Sequence, residues 1–580
     1  MTKPKFNLKN KFNRLDLLFL LILLCQIILL YVLQNKATTD ALGSPWPIFG
    51  SRFFWFYGFS TAILIFYSFV KTNKYLWLVS VSIHYLISLG IITFVYPLGW
   101  GYDPFLHRAA EKYIFEFGAA IPKTPFYIGQ YVIVNILAHL TNLPIKIIDI
   151  YLVPVLSSIL LPISVYFGTR YGLKLSEKLS RLSAIIILLY PFKTMVVTTP
   201  YNLANTFTLT SIFLSLLMIN NKKNWIPSLL FAVLAVLTHP LVGIFAIILF
   251  ILILLNKILI NKKRIVLSVI SVVSFFIIPI LFIIYGQIGG TNIEIVFNLD
   301  NFINLFREPY YFINRPAHWI LDLVYLYRFF IPGIIIAFSI SVFMYKEKKG
   351  LYLYLLMSLI ILINVFILSS FIKFKQLNSF EQIQYSQRLI HSCLFFILPL
   401  FIIGLIKTIR LVKNKKNIYF VTLFALSIPL TTSLYLSYPQ KNPIVHFPAY
   451  NVTDSDYTAI EYINNSAGDH DYVVLSNILT AAAAIEKYGF SNYFDTDKGK
   501  LFYYSIPSGS PLAELYSKML YKGQQRIYME KAMELTKTNK SFFVMTSYWH
   551  NSKEIINGAK NTADSWYSID NKVWVFEYFK

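Results

Sequence analysis

The sequence predicts a polytopic α-helical membrane protein that ends in a smaller α/β domain, and three observations lead to this prediction. Hydrophobic residues make up 56% of the 580 residues and charged residues only 14%, whereas soluble domains carry about 25% charged residues. Apolar runs of membrane-spanning length recur from Leu17 to Leu436. From about Ser437 the composition becomes that of a soluble domain. We therefore expect a transmembrane domain over residues 1–438 and a soluble α/β domain over residues 439–580.

The basic residues predict how the chain is threaded through the membrane. Five of them precede the apolar run Leu17–Leu33, and no small-residue cleavage site follows it, so this run is expected to be a retained first helix. The remaining basic loops fit on one side of the membrane with a single threading of about thirteen helices. These loops are Lys71–Lys74, Arg170–Arg181, Lys222–Lys223, Lys257–Arg264, Lys346–Lys349 and Lys407–Lys416. Because short basic loops face the cytoplasm, the N-terminus is predicted to be cytoplasmic and the C-terminal domain extracytoplasmic.

The same loops account for the formal net charge of +24. The chain is therefore not expected to bind nucleic acid, because the positive charge follows the membrane topology. Cys25 and Cys393, the two cysteines of the chain, both fall inside apolar runs. Two cysteines are too few for a cysteine-based metal site.

The loops that this threading places outside are the natural location for a functional site. They are Gly101 to Leu143, Thr198–Asn202, Gly286–Tyr327, Lys373–Arg388 and the chain after Tyr438. Within the first of them, Ile128–Thr141 is apolar but short, and we expect it to lie in the membrane interface. In the C-terminal domain the pattern predicts two helices and three strands. These are a helix capped by Asp454, a strand at Tyr472–Leu475, a helix at Thr480–Tyr488, and strands at Ser541–Thr546 and Val573–Phe579.

A charged segment from Trp100 to Tyr113 interrupts the apolar sequence just after a predicted span. Asp103 suits the cap of a helix and Pro104 its first position. As local structure, the segment is an interfacial amphipathic helix that Gly118 ends. Its polar side would hold the pairs Arg108–Glu111 and Lys112–Glu116.

The segment also has a chemical interpretation. Asp103 would be a carboxylate at the bilayer surface, placed to accept a proton from an incoming hydroxyl. His107 lies one turn further on and would bind a phosphate or tune the acid. We count His107, Arg108 and Glu111 as candidates for binding the substrate.

The stretch Tyr102–Gly118 resembles the first outer-loop signature of C-type (GT-C) glycosyltransferases, and most of all that of oligosaccharyltransferase catalytic subunits. Those proteins carry an Asp-Pro-aromatic step, an Arg, and a small-residue-Glu-Tyr run that ends at Gly, as this chain does. The predicted plan of many helices and an outer C-terminal domain is also similar. The resemblance implies a GT-C-like fold and a sugar donor carried on a polyprenyl phosphate or pyrophosphate. It also implies that Asp103 is the essential acidic residue.

Two features of oligosaccharyltransferases are absent from the sequence. The family has a second acidic motif that helps to bind a divalent metal, but the corresponding segment Thr199–Asn205 contains no carboxylate. The Trp-Trp-Asp-Tyr-Gly motif that recognises acceptor sequons is missing from residues 439–580. We therefore expect neither sequon glycosylation nor a strict requirement for a divalent metal, and we assign no metal ligands.

Five further residues are candidates for contacting the substrate. Arg388 stands at the outer mouth of an apolar run, where it would grip a phosphate or simply snorkel to the interface. His239 is either a functional residue at membrane depth or a buried histidine beside a proline kink. Arg315 lies in an aromatic-rich loop that suits sugar rings, although aromatics collect at any interface. Asn202 and Asn205 would hydrogen-bond a donor sugar or cap the following helix.

Taken together, the sequence predicts an integral-membrane glycosyltransferase, inverting by resemblance, that works at the outer face of the membrane. It would transfer a sugar from a polyprenyl-phosphate donor to a hydroxyl of a glycan, lipid or protein acceptor, with Asp103 as the base. A polymerase or ligase of lipid-linked oligosaccharides would share the same cavity. A non-enzymatic transporter of lipid-linked sugars would place charges at mid-membrane and show repeated halves, and the sequence has neither feature.

Overall fold

The structure of the chain is a computed structural model. It describes residues 14–70, 73–119, 125–220, 224–259, 262–288, 293–306, 319–345, 350–374, 379–411, 416–440, 451–468, 470–497, 499–507 and 509–580.

Residues before 441 are almost entirely helical where they are described. The helices of the first half are α1 (Arg14–Gln34), α2 (Ser51–Phe69), α3 (Lys74–Leu89), α4 (Ile91–Val95), α5 (Asp103–Phe117), α6 (Ile128–Thr141), α7 (Ile145–Phe167), α8 (Glu177–Ile186), α9 (Pro200–Asn220), α10 (Ile226–Thr238), α11 (Pro240–Ile258), α12 (Lys263–Ser274) and α13 (Ile277–Ile288). Those that follow are α14 (Leu299–Asn304), α15 (Trp319–Ser341), α16 (Tyr352–Phe371), α17 (Ser379–Leu411), α18 (Lys416–Ala425) and α19 (Ser427–Leu436), with two short strands, β1 (Ile293–Ile295) and β2 (Ile372–Phe374).

Several of these helices are long and apolar enough to cross a bilayer. Among the described residues six qualify, and a seventh is added if α12 and α13, which meet at a 44° bend, form one span. Five shorter apolar helices, of 10–17 residues, accompany them. The chain is therefore a multi-pass membrane protein.

Contacts between helix ends gather the basic loops at one end of the helical region. Arg181 donates to the carbonyl oxygen of Val70 at 3.1 Å, and the Asn220 amide donates to the carbonyl oxygen of Tyr171 at 2.8 Å. At the opposite end β1 pairs with β2 in antiparallel fashion, which joins two of the loops predicted to face outward. The helical region thus has a basic end and an end formed by the predicted outer loops.

The chain after residue 450 forms a mixed sheet covered by helices. Its helices are α20 (Asp454–Ala467), α21 (Ile478–Tyr488), α22 (Pro511–Tyr521), α23 (Arg526–Thr536) and α24 (Ser552–Lys560), and its strands are β3 (Tyr472–Leu475), β4 (Tyr493–Thr496), β5 (Gly499–Phe502), β6 (Lys540–Thr546), β7 (Ser565–Ile569) and β8 (Val573–Phe579). The sheet has the order β3-β6-β8-β7, with β3 and β6 parallel and the other two pairs antiparallel. Alternate residues of β3 and β6 enter different cores, one shared with α20 and α21 and the other with α22 to α24.

Local sequence signals locate most of these elements. Strands β3 and β8 have the bounds predicted from the sequence, and β6 begins one residue earlier than predicted. The cap of α20 is different from the prediction. Thr453, not Asp454, caps this helix, because its side chain and that of Asp456 form a reciprocal capping box.

Helix α5 is one of the places where the helical region meets the C-terminal one. Phe105 and Ala109 are buried in the same apolar cluster as Ile460 of α20 and Ala483 of α21. The helix that carries the Asp-Pro motif is therefore covered on one side by the C-terminal region.

Candidate active site

Helix α5 begins at Asp103 itself. Tyr102 occupies the cap position and makes no side-chain capping bond, so the prediction that Asp103 caps the helix is wrong. Asp103 is exposed, and within the described part of the chain its carboxylate has no hydrogen-bond or ion-pair partner. The helix ends as predicted at Gly118, whose φ of 68° lies in the left-handed region.

His107 follows Asp103 by four residues, so the two side chains project from the same face of α5. The Nδ1 atom of His107 lies 2.9 Å from the hydroxyl oxygen of Tyr131 on α6. Its ring also meets the ring of Tyr127 edge to face, with centroids 5.5 Å apart. This face of α5 therefore points toward α6 and the turn that precedes it.

Ring contacts continue from His107 to the other side of the site. The ring of Tyr127 lies 5.4 Å from that of His239, and His239 lies 5.7 Å from Tyr201. The guanidinium group of Arg388 stands 5.2 Å from the Tyr201 ring centroid, and the Tyr201 hydroxyl donates to the Arg388 carbonyl oxygen at 3.2 Å. Three predicted site residues, His107, His239 and Arg388, thus belong to one connected row.

Several polar groups along this row lack a hydrogen-bond or ion-pair partner among the described residues. Arg388 is half-buried and has no carboxylate partner there. His239 separates α10 from α11 and is buried, and its Nδ1 atom has no hydrogen-bond partner. Asn205 is fully buried with neither its amide nitrogen nor its oxygen paired. Unpaired buried polar groups are costly, and each one calls for an explanation such as a bound ligand or water.

The two asparagines of α9 do not cap it, contrary to one of the predicted alternatives. The Thr199 hydroxyl accepts a hydrogen bond from the backbone N–H of Asn202 at 3.2 Å. The Asn202 side chain instead donates to the carbonyl oxygen of Val197 at 2.8 Å. Of the remaining candidates, Arg315 lies outside the described residues.

The opposite side of α5 carries a buried cluster of charges. Nε of Arg108 lies 3.1 Å from the carboxylate of Asp149 on α7, and Nη1 lies 3.0 Å from the carboxylate of Glu486 on α21. Lys112 approaches Glu486 at 3.5 Å. Arg108 and its two carboxylate partners are at most 3% exposed. The predicted pairs of Arg108 with Glu111 and of Lys112 with Glu116 are wrong, because partners from distant segments replace them.

Glu111 is also fully buried. Its carboxyl accepts a hydrogen bond from the Gln130 amide at 2.8 Å. Burial raises its pKa well above the ordinary value, and the negative charge of Asp149 raises it further.

The charge of Glu486 is preserved despite its burial. Burial alone would raise the pKa of this carboxyl, but Arg108, Lys112 and the Tyr457 hydroxyl outweigh that effect and lower the pKa overall. Arg108 and Glu111 are largely engaged by protein partners, and each keeps one buried atom without a hydrogen-bond partner among the described residues, Nη2 and Oε2. That both contact the substrate stays a prediction.

A close approach of the backbone completes the packing around Arg108. Gly99 has a φ of 116°, and a Cβ atom there would lie 2.9 Å from Nη2 of Arg108. The same atoms border a cavity of about 20 Å³, lined also by Asp149 and Thr198. This volume holds about one water molecule. No three His, Cys, Asp or Glu side chains in the described segments are close enough to share a metal ion.

Sequence reasoning missed the groups that connect the site. Tyr127, Tyr131 and Tyr201 gave no signal among the many aromatics of a membrane protein. Asp149 and Glu486 gave a weak one, because each is an isolated carboxylate in an otherwise apolar helical segment. An acid in such a position usually has a buried partner.

Comparison with known proteins gives matches at the level of structure. No protein-family model and no curated protein matches the chain. One similar structure is the archaeal oligosaccharyltransferase AglB from Archaeoglobus fulgidus in complex with an inhibitory peptide and a dolichol-phosphate. It is 10% identical and has a TM-score of 0.46, over 90% of this chain and 69% of that chain. Another is ArnT from Cupriavidus metallidurans in the apo state, at 11% identity and a TM-score of 0.41, over 86% and 97% of the two chains.

Both are GT-C glycosyltransferases. Because the identities are low and the TM-scores are below 0.5, the function has to be inferred from this chain's own residues.

Proposed function

We propose that the chain is a GT-C-type membrane glycosyltransferase that uses a polyprenyl-phosphate-linked sugar as its donor. The observation that carries the proposal is the row of contacts from His107 through Tyr127, His239 and Tyr201 to Arg388. At one side of this row stands an unpaired exposed carboxylate, Asp103, and at the other an unpaired half-buried guanidinium group. A base and a phosphate-binding cation on two sides of an aromatic surface suit sugar transfer.

Each group has a role in a direct displacement. The Asp103 carboxylate accepts the proton of the acceptor hydroxyl as its oxygen attacks the anomeric carbon. The bond from that carbon to the phosphate oxygen breaks, and polyprenyl phosphate leaves with the electron pair and its negative charge. Arg388 stabilises this charge by paired N–H donors. We expect inversion at the anomeric carbon, as a single displacement requires.

The polar side chains that border this row would hold the sugar and the phosphate. Asn205 and the unpaired Nδ1 of His239 are buried beside Tyr201, where hydrogen bonds to sugar hydroxyls would satisfy them. Asn202 and His107 border the same surface, and Arg315 is proposed from its sequence position. The reaction needs no metal ion in this scheme, because Arg388 neutralises the leaving group.

The proposed topology places this site outside the cytoplasm. Thirteen spans follow if α12 with α13 and α18 with α19 each form one, if α8 crosses together with the buried segment Ile187–Leu189 that follows it, and if α1 to α3, α7, α9 to α11 and α15 to α17 form the others. The basic loops then face the cytoplasm. α5, the His239 turn, the start of α17 and residues 439–580 face outward. The acceptor is a hydroxyl of a glycan, lipid or protein.

The test is release of polyprenyl phosphate by purified protein in liposomes, from a panel of lipid-linked sugars. We expect wild type to release it from at least one donor, and Asp103→Asn to release it about 10²–10⁴-fold more slowly, which is the usual contribution of a general base. Glu116→Gln is the matched control, because Glu116 is an exposed carboxylate on the same helix. Equal rates for Asp103→Asn and wild type would rule out Asp103 as the base.

Two further assays distinguish the proposed glycosyltransferase from the alternative functions. Release coupled to acceptors of increasing length would identify a polymerase or ligase. Movement of the intact donor across the bilayer without release would identify a transporter. A chelator arm tests the metal, and we expect it to leave release unchanged.

A further inference from the structure

We propose that Glu486, on α21 of the C-terminal region, is a positioning residue for the active site. It would act by anchoring α5 so that Asp103 and His107 keep their places beside the substrate. This inference rests on the proposed function, because it assigns the C-terminal region a part in the same reaction.

The first observation is the separation of Glu486 from its partners in the sequence. Arg108 and Glu486 are 378 residues apart, yet their charged atoms lie 3.0 Å from each other. Lys112, one turn along α5, donates both to the carbonyl oxygen of Glu486 at 3.3 Å and to its carboxylate at 3.5 Å. One side chain of the C-terminal region therefore holds two successive turns of α5.

The second observation is that the other contacts of Glu486 fix its own position. The hydroxyl of Tyr457 on α20 donates to its second carboxylate oxygen. Asp149 holds Arg108 from α7, so α5 is fastened to both the helical and the C-terminal regions. A buried charge with several partners leaves little freedom of rotation to the groups that it contacts.

The third observation is the division of the site between elements. Asp103 and His107 belong to α5, whereas Tyr201 belongs to α9, His239 to the turn before α11 and Arg388 to α17. Moving α5 therefore displaces the base, together with His107, from the bound donor but leaves Tyr201, His239 and Arg388 in place. Loss of the Glu486 anchor is expected to lower kcat while KM for the donor changes little. A displacement of about 1 Å can cost on the order of 100-fold in rate.

The experiment compares Glu486→Gln with Glu577→Gln in the full-length protein in liposomes. Glutamine keeps the size of the side chain and removes its charge. Glu577 is a matched control, because it forms another buried ion pair of the C-terminal region, with Lys540 at 3.7 Å, and none of its hydrogen-bond or ion-pair partners lies on α5. Two quantities are measured: hydrogen exchange of the α5 amides, and kcat and KM for donor release.

In Glu486→Gln we expect α5 amides to exchange at least about tenfold faster than in wild type. We also expect kcat to fall at least about tenfold, with KM within about threefold. Glu577→Gln should leave both quantities near wild type. Unchanged α5 exchange in Glu486→Gln, or an equal loss in both variants, would overturn the proposal.

A second variant and the activity of wild type decide the remaining cases. If Glu486→Gln does not fold, Tyr457→Phe removes a single hydrogen bond to Glu486 and is expected to change exchange and kcat in the same direction but less. If α5 loosens as expected while wild type releases no polyprenyl phosphate from any donor, the anchor is supported and the proposed function fails.

Discussion

The two faces of α5 differ in how their charged groups are satisfied. On one face Arg108 is fully buried and shared between two carboxylates from distant helices. On the other, Asp103 is exposed and unpaired within the described chain, and His107 contacts aromatic rings. Buried charges need partners inside the protein, whereas an exposed charge without a partner is available to a substrate. Helix α5 therefore has a structural face and a chemical one.

Disrupting the structural face should produce the largest change in stability. Arg108→Met leaves the carboxylates of Asp149 and Glu486 buried without the guanidinium group that contacts both, although Lys112 and Lys146 still act on Glu486. Removing one member of a buried ion pair costs about 3–5 kcal/mol. The free energy of unfolding, measured by denaturant titration in detergent, should fall by this amount.

The control for this variant is Lys518→Met. Lys518 pairs with Glu514 at 2.7 Å, but both side chains are more than a third exposed. Such a pair is worth about 0–1 kcal/mol. Equal losses in Arg108→Met and Lys518→Met would mean that the buried cluster does not anchor α5.

Disrupting the chemical side should reduce activity without changing stability. Arg388→Gln removes the cation proposed to bind the phosphate. A charge-assisted hydrogen bond contributes about 1.5–3 kcal/mol, so kcat/KM should fall about 10- to 100-fold. Steady-state release of polyprenyl phosphate measures the change. Arg52→Gln, at an exposed site on α2, is the control, and a similar loss there would remove the assignment of Arg388.

The smallest expected effect concerns Glu111, a buried carboxyl that lies one turn beyond His107 and interacts with Arg108 and Asp149. Its raised pKa means that the folded protein prefers it protonated. The resulting stabilisation is complete below the unfolded pKa of about 4.3 and declines as the pH rises toward the folded pKa. Glu111→Gln is neutral at every pH and keeps an acceptor for Gln130.

The melting temperatures of wild type and Glu111→Gln should therefore diverge with pH. We expect the variant to melt a few degrees higher than wild type at pH 8, and the difference to shrink toward pH 5. Thermal unfolding followed by circular dichroism measures this. A difference that does not vary with pH would mean that Glu111 is ionised in the folded protein.

Local features of the fold could be predicted from the sequence because their causes are local. Apolar runs, basic loops and strand patterns located the helical region and strands β3 and β8. The Asp-Pro step and Gly118 located α5 and its end. The helix cap was assigned one residue late at α20, because an acid next to a threonine satisfies the same rule as the threonine.

The side chains of the site are brought together by contacts between distant segments of the chain. A single sequence does not reveal such contacts. Arg108 had a local candidate partner in Glu111, but the fold supplies Glu486 instead. From the sequence, His239 and Arg388 each had a functional and a structural interpretation. In the structure both side chains contact Tyr201, which places them in the same candidate site. The count of spans and the side of the membrane stay predictions.

The most direct test of this division between the two faces is to measure stability and release rate on the same preparation of Asp103→Asn. Because Asp103 has no partner in the described structure, we predict that the free energy of unfolding stays within about 0.5 kcal/mol of wild type. The rate of polyprenyl-phosphate release should nevertheless fall about 10²–10⁴-fold. An unchanged rate, or a loss of rate matched by a large loss of stability, would contradict the assignment of Asp103 to the chemistry.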